Sequence, residues 1–378
     1  MLEWWNDLVD AERVLLLVAV ISLGVLFFYY FFFFLRLAFY KAPSPENSEL
    51  PPLSVIICAR NEAENIITYL PKILQQDYPE FEVIVVNDNS WDGTGDELAE
   101  LQKTHSHLQV VSIGEHVQHL PGKKFPLTLG IKKAKFRHLV FTDADCFPSG
   151  DKWLQYLGSS FSGGKEIVVA PGPYLPSKGL LNALIRFDAL TTGGMFLSFA
   201  LAGLPYMGVG RNLAYTRDVY DRTGGFKKHY HIMSGDDDLF VQAAATGKNT
   251  AVCIHSDALM MTPAKTTWSQ WRIQKSRHFS TAPHYRIGFK ILLTLYPLCV
   301  FLFFVAAIAL LVYENTRHIS LLLIGIKLLV QIAIFRLVFK VQKDRLLWLL
   351  SPFMEVLLLG NQVVVMLVGG ISKKRRWK

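Results

Sequence analysis

Cysteine is scarce and scattered in this chain. Cys58, Cys146, Cys253 and Cys299 show no paired spacing across 378 residues. That excludes a disulfide framework and a zinc-binding pattern, and it fits a reducing compartment. A nucleic-acid module is also missing, so the net charge of +8 needs another account. The basic residues gather beside apolar stretches and in the tail Lys373–Lys378, an arrangement that attraction to anionic lipid explains. Nor is the apolar content evenly spread. The 51% hydrophobic residues, with 26 Phe among them, concentrate at the N-terminus and beyond about residue 288. Length alone allows two or three units of about 100–200 residues, and a mixed-composition middle remains between the apolar ends. This is the distribution of a globular domain held between membrane segments.

Val14 to Leu35 is almost uninterrupted Leu, Val, Ile and Phe, which meets the requirement of roughly 20 residues for a spanning helix. The run is too long for a cleaved signal peptide, acidic residues lead it (Glu3, Asp7, Asp10, Glu12), and no small-residue cleavage site follows. Arg36 and Lys41 come next, which puts the N-terminus outside and the following domain in the cytosol. Pro43, Pro45, Pro51 and Pro52 mark a linker. Three later apolar segments cover Gly288–Val312, Ile319–Phe339 and Leu346–Gly369. Lys327, Gln331 and Arg336 interrupt the second, and Glu355 and Asn361 the third. Polar residues at such depth face a bundle interior or a water-filled cavity, so Glu355 is expected either to pair helices or to have a function of its own. Three crossings would leave the basic tail outside, against the charge rule. Either one segment is re-entrant or interfacial, or the rule fails here, and the middle segment is the weakest span. The expected domains are residues 1–42 (anchor), 43–285 (cytosolic domain) and 286–378 (membrane region and tail).

The middle reads as α/β. Leu53–Ala59 is a strand closed by Arg60-Asn61-Glu62, Ala63–Gln76 a helix, and Glu82–Val86 a second strand ending in the polar turn Asn87–Thr94. A helix follows from Gly95, then a short strand at Gln109–Ser112, then Gly122-Lys123-Lys124 and a helix through Ala134. Strand, helix, strand with polar residues at the carboxyl ends is the form of a mostly parallel nucleotide-binding sheet. The run Leu139–Cys146 ends in Asp143 and Asp145. Asp is a poor strand residue, and two hard oxygen donors at a strand end suit a divalent ion that also grips a diphosphate. Trp153–Phe161 reads as a helix and Glu166–Ala170 as a strand. Leu180–Phe199 is apolar but holds Asn182, Arg186 and Asp188, so it is expected to be a surface-lying amphipathic helix or acceptor-side element, not a span. Gly208–Asn212 lacks the third glycine of a dinucleotide loop. Asp236-Asp237-Asp238 is either a solvated acidic turn capping the next helix or, through like-charge crowding, the source of a general base. Trp268, Trp271, Arg272 and Lys275 would anchor a helix at lipid headgroups.

Taken together, Ile57–Glu62, Val86–Thr94, Gly122–Lys124 and Thr142–Asp145 resemble, in order and spacing, the family 2 glycosyltransferases over roughly residues 53–280. The resemblance implies a GT-A fold and a nucleotide diphosphate sugar as donor, with a UDP-sugar expected. In its terms Asp88 holds the nucleobase or ribose, with Glu62 in the same nucleotide-binding set, and Lys123 lies near the nucleotide with Lys124 as rival. Asp145, helped by Asp143, binds Mg²⁺ or Mn²⁺ on the diphosphate. Aligned on Leu239, the family's Glu-Asp-x-x-Leu pattern makes Asp236 the base, with Gly235 replacing the Glu and Asp237 competing. Gln274 and Arg277 resemble the Gln-x-x-Arg-Trp motif of the membrane-integrated branch, with His278 in place of Trp. There the motif lies on an interfacial helix, Arg helps hold the diphosphate and Trp borders the acceptor. The activity implied is that of a membrane-bound, inverting, metal-dependent enzyme acting on a hydroxyl of a membrane lipid, as in ceramide glucosyltransferase-like enzymes. A growing polysaccharide, as in cellulose or hyaluronan synthases, is the alternative acceptor, although a polymer channel needs more helices than are counted here. A catalytically silent nucleotide-sugar receptor and a transporter using Glu355 are rivals of other classes, and the intact acidic motifs weigh against both.

Overall fold

The computed structural model describes residues 8–42, 45, 49–114, 117, 122–344 and 346–371. The basic tail and Pro43 therefore lie outside the described residues. The chain forms two compact units, Met1–Phe39 with Arg286–Val364, and Tyr40–Tyr285 with Val365–Lys378.

In the first unit, helix α1 (Asp10–Phe28) opens with Asp10 and Glu12 in its first turn. The Glu12 carboxylate accepts the Val9 N–H at 3.0 Å, which satisfies a donor that the helix start would leave bare. The helix continues through a π-helical stretch, Tyr29–Phe34, to Leu35–Ala38.

The second unit is built on a seven-stranded sheet. In chain order its elements are β1 (Leu53–Ala59), α2 (Ala63–Leu74), β2 (Phe81–Asp88), α3 (Thr94–Thr104), β3 (Leu108–Ile113), α4 (Lys124–Lys133) and β4 (His138–Asp143). There follow β5 (Phe147–Pro148), α5 (Trp153–Ser159), β6 (Ile167–Val169), α6 (Leu180–Leu201), β7 (Leu213–Thr216), α7 (Arg217–Thr223), α8 (Asp238–Ala244), β8 (Thr250–Val252), β9 (Met260–Met261) and α9 (Trp268–Phe279). The strand order is β3-β2-β1-β4-β7-β6-β8, with β7 antiparallel to both its neighbours and the other pairings parallel. Every residue of β1 is buried, as befits a strand covered on both faces, and this explains its continuous apolar run. Helix α4 lies tight against the sheet at Gly130, where a Cβ would come within 2.6 Å of Ile56 Cγ2. This winding delivers the carboxyl ends of β1, β2 and β4 to one edge, so Arg60–Glu62, Asp88–Thr94 and Asp143–Asp145 become neighbours there.

Strands β7, β8 and β9 fall where the sequence reading placed no strand. At two to four residues each they are too short to carry a period-2 signal. β7 is fixed instead by Asn212 just before it, which is wholly buried. Asn212 accepts the Trp153 indole N–H at 3.0 Å and donates to the carbonyls of Pro171 and Ala258 at 2.7 and 2.8 Å. Asn212→Ala would leave two carbonyls and an indole N–H buried without partners. We expect a loss of about 3 kcal/mol, read from the thermal unfolding midpoint of the full chain.

Helix α6 requires a correction. It is not surface-lying and amphipathic, because residues on all its sides are buried, Asn182 and Asp188 among them. By length and composition it could cross a membrane, yet 67% of its apolar stretch is buried within the protein, against 28% for Ile287–Leu310 and for Arg317–Val341. The buried charge is tolerated because Lys275 Nζ lies 2.8 Å from the Asp188 carboxylate.

The first unit also holds α10 (Ile287–Leu310), α11 (Arg317–Val341) and, as far as Val364, α12 (Ser351–Ile371). The stretch through Asp10–Ala38, α10 and α11 are each long and apolar enough to cross a membrane, as α6 is by the same measure. The segment expected to be the weakest span, α11, qualifies, whereas the described apolar part of α12, Ser351–Leu367, is the shorter one. The polar residues of these helices meet one another. Lys327 Nζ donates to Gln331 Oε1 at 2.6 Å and to Glu355 Oε2 at 2.7 Å, Gln331 Nε2 donates to the same Oε2 at 3.1 Å, and the Tyr296 hydroxyl donates to Oε1 at 2.7 Å. Lys327 and Gln331 are fully buried. Pairing between helices therefore accounts for Glu355. All four cysteines are free and buried.

Candidate active site

The sheet edge opens on a small cleft lined by Lys123, Thr142, Asp143, Gly210, Tyr215, Asp236 and Asp237, with Cys58, Leu127, Phe141 and Leu213. Lys123, at the start of α4, forms an ion pair with Asp143 at the end of β4. Burial alone would raise the Asp143 pKa; Lys123, then Arg211 and Arg277, overcome this and hold it below the usual carboxylate range. Adjacent Lys124 turns the other way. Its ammonium is buried and donates to the carbonyls of His229, Ile232 and Ser234 at 2.8, 2.5 and 2.5 Å. Of the two lysines, Lys123 is the one that lines the cleft.

The three acidic residues of the 236–238 turn have different surroundings. Asp238 is buried and accepts from Thr281 Oγ1 at 2.5 Å and Tyr285 OH at 2.7 Å. Asp237 caps α8, accepting the N–H of Asp238 at 2.7 Å and of Gly210 at 2.9 Å. Burial, then Asp238 and Asp236, pushes the Asp237 pKa up to about 8. Asp236 is half-buried in the cleft wall, and its carboxylate makes no hydrogen bond or ion pair to the described residues. Gly235 before it has φ +95°, and a Cβ there would come within 2.6 Å of Leu239 Cδ1. That backbone disfavours a Glu at this position, a physical reason for the departure from the family pattern.

The loops after β1 and β2 are laced together. Asn61 N–H donates to Ser90 Oγ at 3.0 Å, Trp91 N–H to Asn61 Oδ1 at 3.1 Å, and Glu62 N–H to Thr94 Oγ1 at 2.9 Å. Asp88 is wholly buried, 3.7 Å from Arg60, and the Glu62 carboxylate accepts from Asn65 Nδ2 at 2.5 Å. Neither Asp88 nor Glu62 is among the residues lining the cleft just described.

Whether a divalent cation fits can be judged from the donor atoms. Ligand atoms of Asp143, Asp145 and Cys146 all lie within 4.8 Å of one another. Two of the three donors are hard carboxylate oxygens, and the Cys146 Sγ points its hydrogen at Asp145 Oδ1, 3.4 Å away. Such a set fits a hard cation.

A family model described as glycosyl transferase family 2 matches residues 54–224. Glycosyltransferase AglE of Haloferax volcanii is 30% identical over 222 residues, 58% of this chain and 69% of that protein. The chain belongs to glycosyltransferase family 2. A poly-beta-1,6-N-acetyl-D-glucosamine synthase of Staphylococcus epidermidis is 32% identical over 100 residues, though these are only 26% of this chain and 23% of the synthase. Among solved structures, the mannosyltransferase PcManGT from Pyrobaculum calidifontis, in complex with GDP-Man and Mn²⁺, superposes with a TM-score of 0.60 at 20% identity, covering 94% of this chain and 99% of that one. The fold of this glycosyltransferase is GT-A.

Two side chains of this glycosyltransferase went unremarked in its sequence. Arg211 donates to the Gly172 carbonyl at 2.8 Å through Nε and stacks over the Tyr174 ring at 4.9 Å. Gln274, on α9, donates to the Tyr174 hydroxyl at 3.2 Å, so the aromatic ring joins α9 to Arg211. The Gln274 Oε1 is buried with no hydrogen-bond partner among the described residues. Nothing in the local pattern around Arg211 or Tyr174 singles them out, because their partners lie 37 to 100 positions away. Desolvation by the surrounding protein, then the cations Lys275, Arg277 and Arg211, lower the His278 pKa below that of an ordinary histidine.

Proposed function

We propose that this enzyme is a membrane-bound, inverting, metal-dependent glycosyltransferase that moves a sugar from a nucleotide diphosphate to a hydroxyl of a membrane lipid. The observation that carries this reading is the uncommitted Asp236 carboxylate in the same cleft as Lys123 and Asp143. A base must be free to receive a proton, and Asp237 and Asp238 already accept from two and three groups respectively. Asp236 takes the proton of the acceptor hydroxyl, which attacks the anomeric carbon opposite the leaving group. Asp88 and Glu62 seat the nucleoside, and Lys123 holds its ammonium beside the diphosphate. Arg277 offsets the charge that grows on the departing phosphate, and Gln274 Oε1 accepts from a hydroxyl of the bound sugar or acceptor. Asp145 and Asp143 would hold Mg²⁺ or Mn²⁺, which when bound supplies Lewis-acid stabilisation of the diphosphate. The Mn²⁺ and GDP-Man complex of PcManGT supports a divalent cation and a nucleotide sugar here. A lipid acceptor is favoured by the helices long and apolar enough to cross a membrane.

The test is incubation of the purified full chain with labelled nucleotide sugars, GDP- and UDP-linked, and total lipid extract. One labelled donor is expected to yield a monoglycosylated lipid, and EDTA is expected to suppress the product at least tenfold. A long polymer would replace the lipid acceptor with a polysaccharide, and unchanged turnover in EDTA would remove the cation.

A further inference from the structure

We infer that Lys124, with Gly122, is a positioning residue for the catalytic base: the two form a strut that fixes the loop His229–Gly235 and so sets Asp236 in the cleft. This rests on the reading of Asp236 as base. Because the Asp236 carboxylate makes no hydrogen bond or ion pair to the described residues, its place depends on the backbone that carries it. That backbone has little regular structure between Lys227–His229 and the start of α8. The Lys124 ammonium fills the gap. Its three hydrogens meet three carbonyls, of His229, Ile232 and Ser234, the last only two residues before Asp236. All its donors are thereby used, which leaves none for a ligand. At 4% exposure the side chain is also shut away from solvent.

From the same segment, Gly122 closes on another of the loop's carbonyls. Its φ is +125°, and a Cβ would sit 2.5 Å from the Met233 oxygen. Three consecutive residues thus divide the work. Gly122 and Lys124 hold the base loop, while Lys123 between them reaches Asp143 on β4. The start of α4 thereby ties the donor side of the cleft to the base side. A base displaced by about 1 Å can lose roughly 100-fold in rate without any change in donor binding.

The experiment uses the full chain in nanodiscs with the nucleotide sugar and lipid extract that give product. Lys124→Met keeps the apolar stem and removes the ammonium, and Gly122→Ala pushes against the same loop at the Met233 carbonyl. Both are expected to lower kcat about 100-fold with the donor KM within twofold of wild type. Hydrogen exchange of the amides in 229–236 should quicken at least tenfold while β1, β2 and β4 keep wild-type protection. Should Lys124→Met fail to fold, Gly122→Ala alone decides by the same measurements. A variant that folds with wild-type kcat, or whose donor KM rises in step with the loss of kcat, overturns the strut. Asp236→Asn is measured beside them. If it is inactive while Lys124→Met turns over normally, only the strut falls; if it retains turnover, the base assignment falls and the strut's catalytic role with it.

Discussion

Asp236→Asn is expected to lower kcat for sugar transfer by about 1,000-fold while nucleotide diphosphate binding stays within twofold of wild type. The size follows from what a positioned base contributes, typically 10²–10⁴ in rate. Asn preserves the volume and one acceptor oxygen but cannot take a proton at neutral pH. Binding is spared because the Asp236 carboxylate holds up no other described group, so the change leaves no buried donor stranded. Asp237→Asn provides the contrast. Asp237 receives two backbone N–H groups on different oxygens, Gly210 on Oδ2 and Asp238 on Oδ1, so Asn keeps one of these bonds and sets its NH2 against the other donor. Kinetics of transfer together with titration of GDP and UDP binding check the pair. Substantial turnover by Asp236→Asn would pass the role of base to Asp237.

The second large effect is on stability. Glu355→Ala strands the ammonium of Lys327, which is fully buried and lies 4.4 Å from the Phe304 ring centroid. Removing one partner of a buried pair costs about 3–5 kcal/mol, because the remaining charge keeps its desolvation penalty. The chain unfolded in lipid or detergent also finds polar partners, so about 3 kcal/mol is the expected figure. Lys327→Met combined with Glu355→Leu should recover most of it, since a matched apolar pair leaves nothing uncompensated. Thermal unfolding of the two variants in one detergent reads both outcomes. A Glu355→Ala midpoint equal to wild type would mean that the ion pair supports nothing.

The half of the sheet that carries the site was open to reading from sequence, and the reason is local. Strands β1, β2 and β4 are each six to eight residues long, mostly apolar, and end in or lead directly into polar groups at the ligand edge. Periodicity and a change of composition suffice to mark them. Strands β7, β8 and β9, at two to four residues, offer no such run. Helix α6 was misjudged because Asp188 and Asn182 look like a wet face. What shelters Asp188 is Lys275, 87 positions later, and what shelters Asn182 is the N–H of Ser177 and the carbonyl of Leu175. The same holds in the cleft. That Lys123 and Lys124 part company depends on backbone direction at the start of α4, which two identical residue types do not disclose. Glu355 stood between a pairing role and a functional one until Tyr296, Lys327 and Gln331 came together around it. Charges whose partners lie far along the chain are legible only as questions.

The four sealed thiols carry a practical consequence. With no native sulfhydryl at the surface among the described residues, a single cysteine introduced at an exposed position such as Trp91 would be the one readily alkylated group. A fluorophore or spin label could then report movement of the loop after β2 without first rebuilding the chain free of its own cysteines.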